Sequence, residues 1–186
     1  MADPHHVPEL DGFDVFTVRL YRTGLALSAS GLLLLGGAMV AGQADIPGPA
    51  WVLVFVGTAL SIANMHLYDK RVRWFIGASG WFGGALMLLA SHVPSTGWMW
   101  VFYAGCGFIF VSMSGFALKE QFCFKIKFLP LVPVFLAGSL IPLLLGQEQV
   151  AGLMLMVAGV LYGVLAGAKF LMPVHFDIGK KSAYQI

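Results

Sequence analysis

The stretch Thr23–Gly42 reads TGLALSASGLLLLGGAMVAG, twenty residues without one ionisable side chain. About 20 predominantly apolar residues are what a helix needs to cross roughly 30 Å of hydrocarbon. Five further stretches have the same character: Ala50–Leu67, Trp74–Ser91, Trp98–Leu118, Phe128–Leu145 and Val150–Phe170. Their apolar residues run on without alternating with polar ones, which disfavours the strands of a membrane barrel. The links are short, so consecutive helices run antiparallel. The sequence therefore predicts an all-α fold, a polytopic transmembrane bundle of six spans. Composition points the same way. Of the 186 residues, 59% are hydrophobic and 11% charged, too few polar side chains to coat a water-soluble globule and too many apolar ones for a disordered chain. The first run is longer than the ~7–15 residues of a secretory signal core, and acidic residues, Asp3, Glu9, Asp11 and Asp14, precede it. It reads as a retained span.

Charge placement sets the orientation. Arg19 and Arg22 precede the first span. Lys70, Arg71 and Arg73 lie between the second and third, and Lys119, Lys125 and Lys127 between the fourth and fifth. Lys169, Lys180 and Lys181 close the chain. These are all 11 basic residues, and six antiparallel spans put every one on the same side. The opposite loops carry only Asp45 and Glu148. The positive-inside rule then places both termini in the cytoplasm. Lys169, near the end of the sixth run, is expected to snorkel to the headgroups. Residues 1–22 read as a cytoplasmic arm and interfacial lead-in, 23–170 as the membrane domain, and 171–186 as a cytoplasmic tail. The arm to Thr17, with His5 and His6, is polar enough to be mobile. Tyr21, Tyr68 and Trp74 at one boundary, and Trp51, Trp98 and Trp100 at the other, match an interfacial aromatic belt. Trp81 and Tyr162 lie deeper and are expected to pack against neighbouring helices. A formal net charge of +2 gives no basic footprint for nucleic acid.

Close packing, not water, drives helices together in lipid. Gly159, Gly163 and Gly167 recur every fourth residue on one face of the sixth span, and Gly80 and Gly84 do so on the third. Both rows are expected to be helix-packing grooves, within the chain or between copies. On this reading Gly163→Leu disrupts the fold, and Gly152→Leu, off that face, is milder.

No carboxylate, lysine or arginine falls at mid-depth, where a proton-coupled carrier or a charged pore would keep one. HExxH, GxSxG and Walker motifs are absent from the sequence. Cys106 reads as a small packing residue, and both it and Cys123 as free thiols. The polar residues that remain gather at the basic face: Asn64 and His66 at the end of the second span, Lys119–Cys123 after the fourth, His175 and Asp177 after the sixth. His66, Glu120, Cys123 and His175 are candidate ligand-binding residues, of types that hold a metal, a haem or a quinone headgroup. The alternative is that they cap helices and pair with basic neighbours, with Arg71, Arg73 or Lys119 as partner for Glu120. No cofactor is assigned. Phe122, Phe124, Ile126 and Phe128 alternate with Cys123, Lys125 and Lys127, a period of two that fits a surface strand or an interfacial turn.

The segments HLYDKRVRWF (66–75), GFALKEQFCF (115–124), PLVPVFLAG (130–138) and DIGKKSAYQI (177–186) resemble a bacterial family of integral membrane proteins, the domain of unknown function numbered 2301. The resemblance runs from about Arg19 to the C-terminus, with Lys119–Phe124 its most specific part. It implies a multi-span protein of the bacterial inner membrane and carries over no catalytic residue. The leading expectation is a non-enzymatic accessory or assembly component whose partners are the lipid bilayer and other membrane proteins. The rivals are a membrane-bound redox or cofactor-binding protein, and a carrier for a small neutral or lipidic solute.

Topology reporters test the orientation. Fusions in the loops around Asp45, Ser95 and Glu148 are expected to report the periplasm and fusions at either terminus the cytoplasm. An active periplasmic reporter at Ile186 overturns the assignment.

Overall fold

The computed structural model describes residues 9–43, 47–92 and 98–185. The loop positions around Asp45 and Ser95, His5 and His6, and Ile186 lie outside them. The described residues form seven α-helices, one 3-10 turn and no strand: α1 Gly12–Val40, α2 Pro47–Ala63, α3 Lys70–Ser91, α4 Trp98–Phe124, α5 Leu131–Leu144, α6 Glu148–Leu171 and α7 His175–Ile178. Among these, α1, α3, α4 and α6 are long and apolar enough to cross a membrane, while α2 and α5 are apolar but shorter.

Local chemistry explains the boundaries. α1 begins well ahead of the apolar run, inside the arm expected to be mobile. The Asp11 side chain accepts from the Asp14 N–H at 2.8 Å, and the Asp14 side chain accepts from the Asp11 N–H at 3.1 Å. This reciprocal cap satisfies amide donors that a helix start leaves open. α3 begins in the same way, with Asp69 accepting from the amides of Arg71 and Val72. The period-two aromatic segment is not a strand; it spans the end of α4 and the turn that follows. Phe122 and Phe124 belong to the last turn of α4, and the chain then reverses through Lys125 (φ 53°) and Phe128 (φ 70°).

The six long helices form a closed ring in chain order. Each packs on its sequence neighbours, and α1 packs along α6 to close it. Glycine carbonyls meet where backbones touch. A Cβ on Gly24 would lie 2.6 Å from the Gly57 carbonyl oxygen, joining α1 to α2. A Cβ on Gly36 would lie 2.5 Å from the Gly152 carbonyl, and one on Gly152 2.7 Å from that of Gly36, joining α1 to α6. Gly83 and Gly105 join α3 to α4 in the same fashion. Gly80 lies against Ile62 and Ser112, and Gly84 against the Phe55 ring.

Within the chain, the glycine row of α6 does not form the groove its spacing suggested. Gly159 abuts Leu32 and Leu33, but a Cβ on Gly163 or Gly167 would meet nothing within 4 Å. The row drifts off the α1 contact, since α6 meets the glycine face of α1 through Gly152, Met156 and Gly159. Two tryptophans also differ from expectation. Trp51 is buried against Phe102 and Phe110 of α4, so it belongs to the core and not to a boundary belt. Trp81 projects to the side of the face that carries Gly80 and Gly84 and is 51% exposed, so it does not pack inward. Tyr162 is fully buried and donates to the Met113 carbonyl.

Gly152→Leu is therefore expected to destabilise the bundle by at least about 1–3 kcal/mol, the usual cost of overpacking, while Gly163→Leu stays near wild type. Thermal unfolding in detergent measures both. Equal tolerance at the two positions would mean that α1 and α6 do not touch through their backbones.

Candidate functional site

The site grows from the last turns of α4 and α6 and the start of α1, at the end of the ring where the lysines and arginines collect. Glu120, in the last turn of α4, is completely buried. Its Oε1 accepts from the Tyr21 hydroxyl at 2.7 Å and from Lys119 Nζ at 2.9 Å. Its Oε2 faces Lys169 Nζ of α6 at 3.0 Å. Lys169 also pairs with Asp177 Oδ1 of α7. The other Asp177 oxygen accepts from Arg22 Nε at 2.9 Å and from a second guanidinium nitrogen. Arg22 spends its remaining donors on the carbonyls of Met172 and Pro173.

Five charged side chains thus form one chain of contacts, Arg22–Asp177–Lys169–Glu120–Lys119, with Tyr21 donating into it. Three cations oppose two carboxylates, so one positive charge is in excess. Lys169 does not snorkel. It is 0% exposed, held between two carboxylates, with its ammonium 4.0 Å above the Phe124 ring centroid. An isolated buried charge is costly, and each member here is tolerable because an opposite charge lies within ion-pair distance.

The tail folds onto this end. Gly179 ends α7 at φ 60°, where a Cβ would run into the Tyr68 hydroxyl. That hydroxyl accepts from the Lys180 amide at 2.8 Å. Gln185 then bonds Tyr68 and Lys70 through backbone and side chain, and Arg73 donates to the Gln185 carbonyl. Lys181 reaches Asp14 in the first turn of α1.

The four candidate ligands do not converge. His66 and Cys123 line one cavity of about 50 Å³, with Lys119, Asp177 and Tyr184 in its wall. Glu120 lies behind that wall, already committed to three partners. His175 sits outside it, its ring edge-on to Phe176. Among the described residues no three His, Cys, Asp or Glu side chains are grouped to hold a metal ion. Burial, together with the Lys119 ammonium, pushes His66 below the usual histidine range, which favours the neutral ring at neutral pH. Both cysteines are free, Cys106 buried and Cys123 half-buried. Of the partners proposed for Glu120, Lys119 is one; Arg71 is exposed and Arg73 is turned toward Leu67 and Gln185. Tyr21, Arg22 and Lys169 were not singled out by the sequence. The available signal was depth: Lys169 lies inside an apolar run, and an ionisable residue there usually faces the bundle interior.

Comparison with known proteins adds a family and no activity. The profile of an uncharacterized integral membrane protein family, DUF2301, matches residues 60–186. A relative from Haemophilus influenzae, itself described as an uncharacterized protein, is 30% identical over 186 residues, covering the whole of both chains. No solved structure matches.

Removing one member of the network exposes its worth. Asp177→Asn strands Arg22 and Lys169, and Glu120→Gln strands Lys119 and Lys169. Each is expected to lose about 3–5 kcal/mol, as for other broken buried pairs. Glu120→Gln combined with Lys169→Met is expected to lose less than the sum of the two. His175→Ala, outside the network, should stay within about 0.5 kcal/mol. Thermal unfolding in detergent separates these, and full additivity of the double variant would contradict a shared network.

Proposed function

We propose, for a chain that belongs to the DUF2301 family of integral membrane proteins, a non-enzymatic accessory or assembly role in the bacterial inner membrane. Its working surface is the cytoplasmic end of six spans, with both termini on that side. The observation that carries this reading is the pairing of the buried charged side chains Arg22, Lys119, Glu120, Lys169 and Asp177 with one another in one network. Such an end is a joint. It pins the tail across the helix ends and fixes a firm surface for a partner to recognise. The segregation of all 11 basic residues supports the orientation.

Two helices fall short of a full crossing. At 1.5 Å per residue α2 reaches about 25 Å and α5 about 21 Å. Local thinning of the bilayer accommodates such lengths at modest cost, and Leu129 and Pro130 lengthen the apolar lead into α5. The cofactor-binding alternative gains nothing from the cavity beside His66. About 50 Å³ admits a water or two, far below the ~300–1,000 Å³ of ordinary cofactor and ligand pockets.

Mild-detergent purification after cross-linking in cells tests the role. A defined protein partner, recovered in near-stoichiometric amount and cross-linked at Lys70 or Lys181, is the expected result. Asp177→Asn, which frees the tail, should reduce its recovery. Protein that carries a chromophore or metal and no protein partner overturns the reading, as does solute uptake by proteoliposomes of the purified chain.

A further inference from the structure

Outside the charged network, a furrow of about 600 Å³ runs over α4, flanked by α3 and α5. Phe75 and Pro133 form its sides near the basic end, and Phe108 and Leu140 do so farther along. From Leu118 to Ala104 it follows fourteen residues of α4, about 21 Å at 1.5 Å per residue. That exceeds the ~15 Å depth of one hydrocarbon leaflet, half of a ~30 Å core. Its walls are almost entirely apolar, and Ala137 lies exposed along the α5 side. The furrow is thus long, narrow and open to the side that faces lipid.

The basic end of the furrow differs in character. Leu118 of α4 and Pro133 of α5 flank it there, and the connection that joins these two helices lies at the same end. This connection carries Lys125 and Lys127, both exposed, between Phe122 at 81% exposure and Phe128 at 66%. Arg71, exposed one helical turn before Phe75, lies at the same end. Among the described residues none of these three cations forms an ion pair. Nearby carboxylates are occupied: Glu120 is buried in its network, and Asp69 caps α3. Lys125 and Phe128 hold positive φ, which reverses the chain between them. The turn places its lysines beside exposed aromatic rings. Exposed aromatic rings beside lysines suit the boundary between headgroups and chains.

We infer that this furrow is a binding site for one anionic phospholipid. An acyl chain lies along α4 between Phe75, Phe108, Pro133 and Leu140, and the headgroup phosphate meets Lys125, Lys127 and Arg71. The uncompensated positive charge selects an anionic headgroup over a zwitterionic one. The inference is independent of any protein partner at the cytoplasmic end, since it concerns a lipid-facing surface.

The test is native mass spectrometry of the full chain released from nanodiscs of equal phosphatidylglycerol and phosphatidylcholine. One retained phosphatidylglycerol per chain is expected. A basic residue near an anionic surface contributes about fivefold, so the two lysines and Arg71 together give a preference of about 150-fold over phosphatidylcholine. Lys125→Gln with Lys127→Gln, both exposed and outside the core, should reduce that preference nearly to the level set by Arg71 alone. Ala137→Phe, which fills the furrow from its open side, should reduce retention of both lipids. Thermal unfolding confirms that each variant is folded. Equal retention of the two lipids by the wild type, unchanged retention in Ala137→Phe, or a dimer with no bound lipid each overturns the inference.

Discussion

Everything at the basic end depends on one ammonium group. Lys169 reaches inward from α6 and finds Glu120 of α4 on one side and Asp177 of α7 on the other. It ties the two carboxylates into a single network, and with them the helices that carry them. Without it, Glu120 and Asp177 would be two separate buried acids, each with a different cation and no shared geometry. Buried ion pairs add little net stability over well-packed apolar groups, but they are costly to break. Their contribution here is positional. Three helices and the tail must bring charged atoms within about 3 Å of one another, and few relative placements of the elements satisfy that.

Apolar packing supplies the cohesion that the network does not. The ring closes where α1 meets α6, through glycines with nothing between their backbones. Because the approach is set by bare backbone, the depth at which α1 sits against α6 is set as well. That depth brings Tyr21 and Arg22 level with Glu120 and Asp177. The glycine contacts and the charge contacts are thus two ends of the same alignment, one apolar and one ionic.

The fold class was legible because it rests on a composition-scale signal. Long uncharged runs and one-sided basic residues survive any error at a single position. The site was legible only by region. Sequence reading placed His66, Glu120, Cys123 and His175 at one face, and the structure separates them: Glu120 within the network, His66 and Cys123 in a small cavity, His175 outside. Periodicity gave the spacing of Gly159, Gly163 and Gly167 but not which part of α6 meets α1, because contact depends on the crossing of two helices and not on one helix alone. Lys169 misled for a related reason. A lysine one turn from a helix end looks the same in sequence whether it turns to headgroups or inward, and the carboxylates that decide the matter lie 49 residues before it in Glu120 and 8 after it in Asp177.

The separation of Arg22 from Asp177, 155 residues along the chain, has a bearing on how the protein is made. Arg22 enters the membrane region with the first helix, and its carboxylate emerges only after all six helices have been synthesised. Through that interval the guanidinium has lipid phosphates and water for company, which hold it near the surface. The final burial of Arg22 is therefore a late event in biogenesis. The tail docks over a bundle already assembled, and Asp177 closes over Arg22 last.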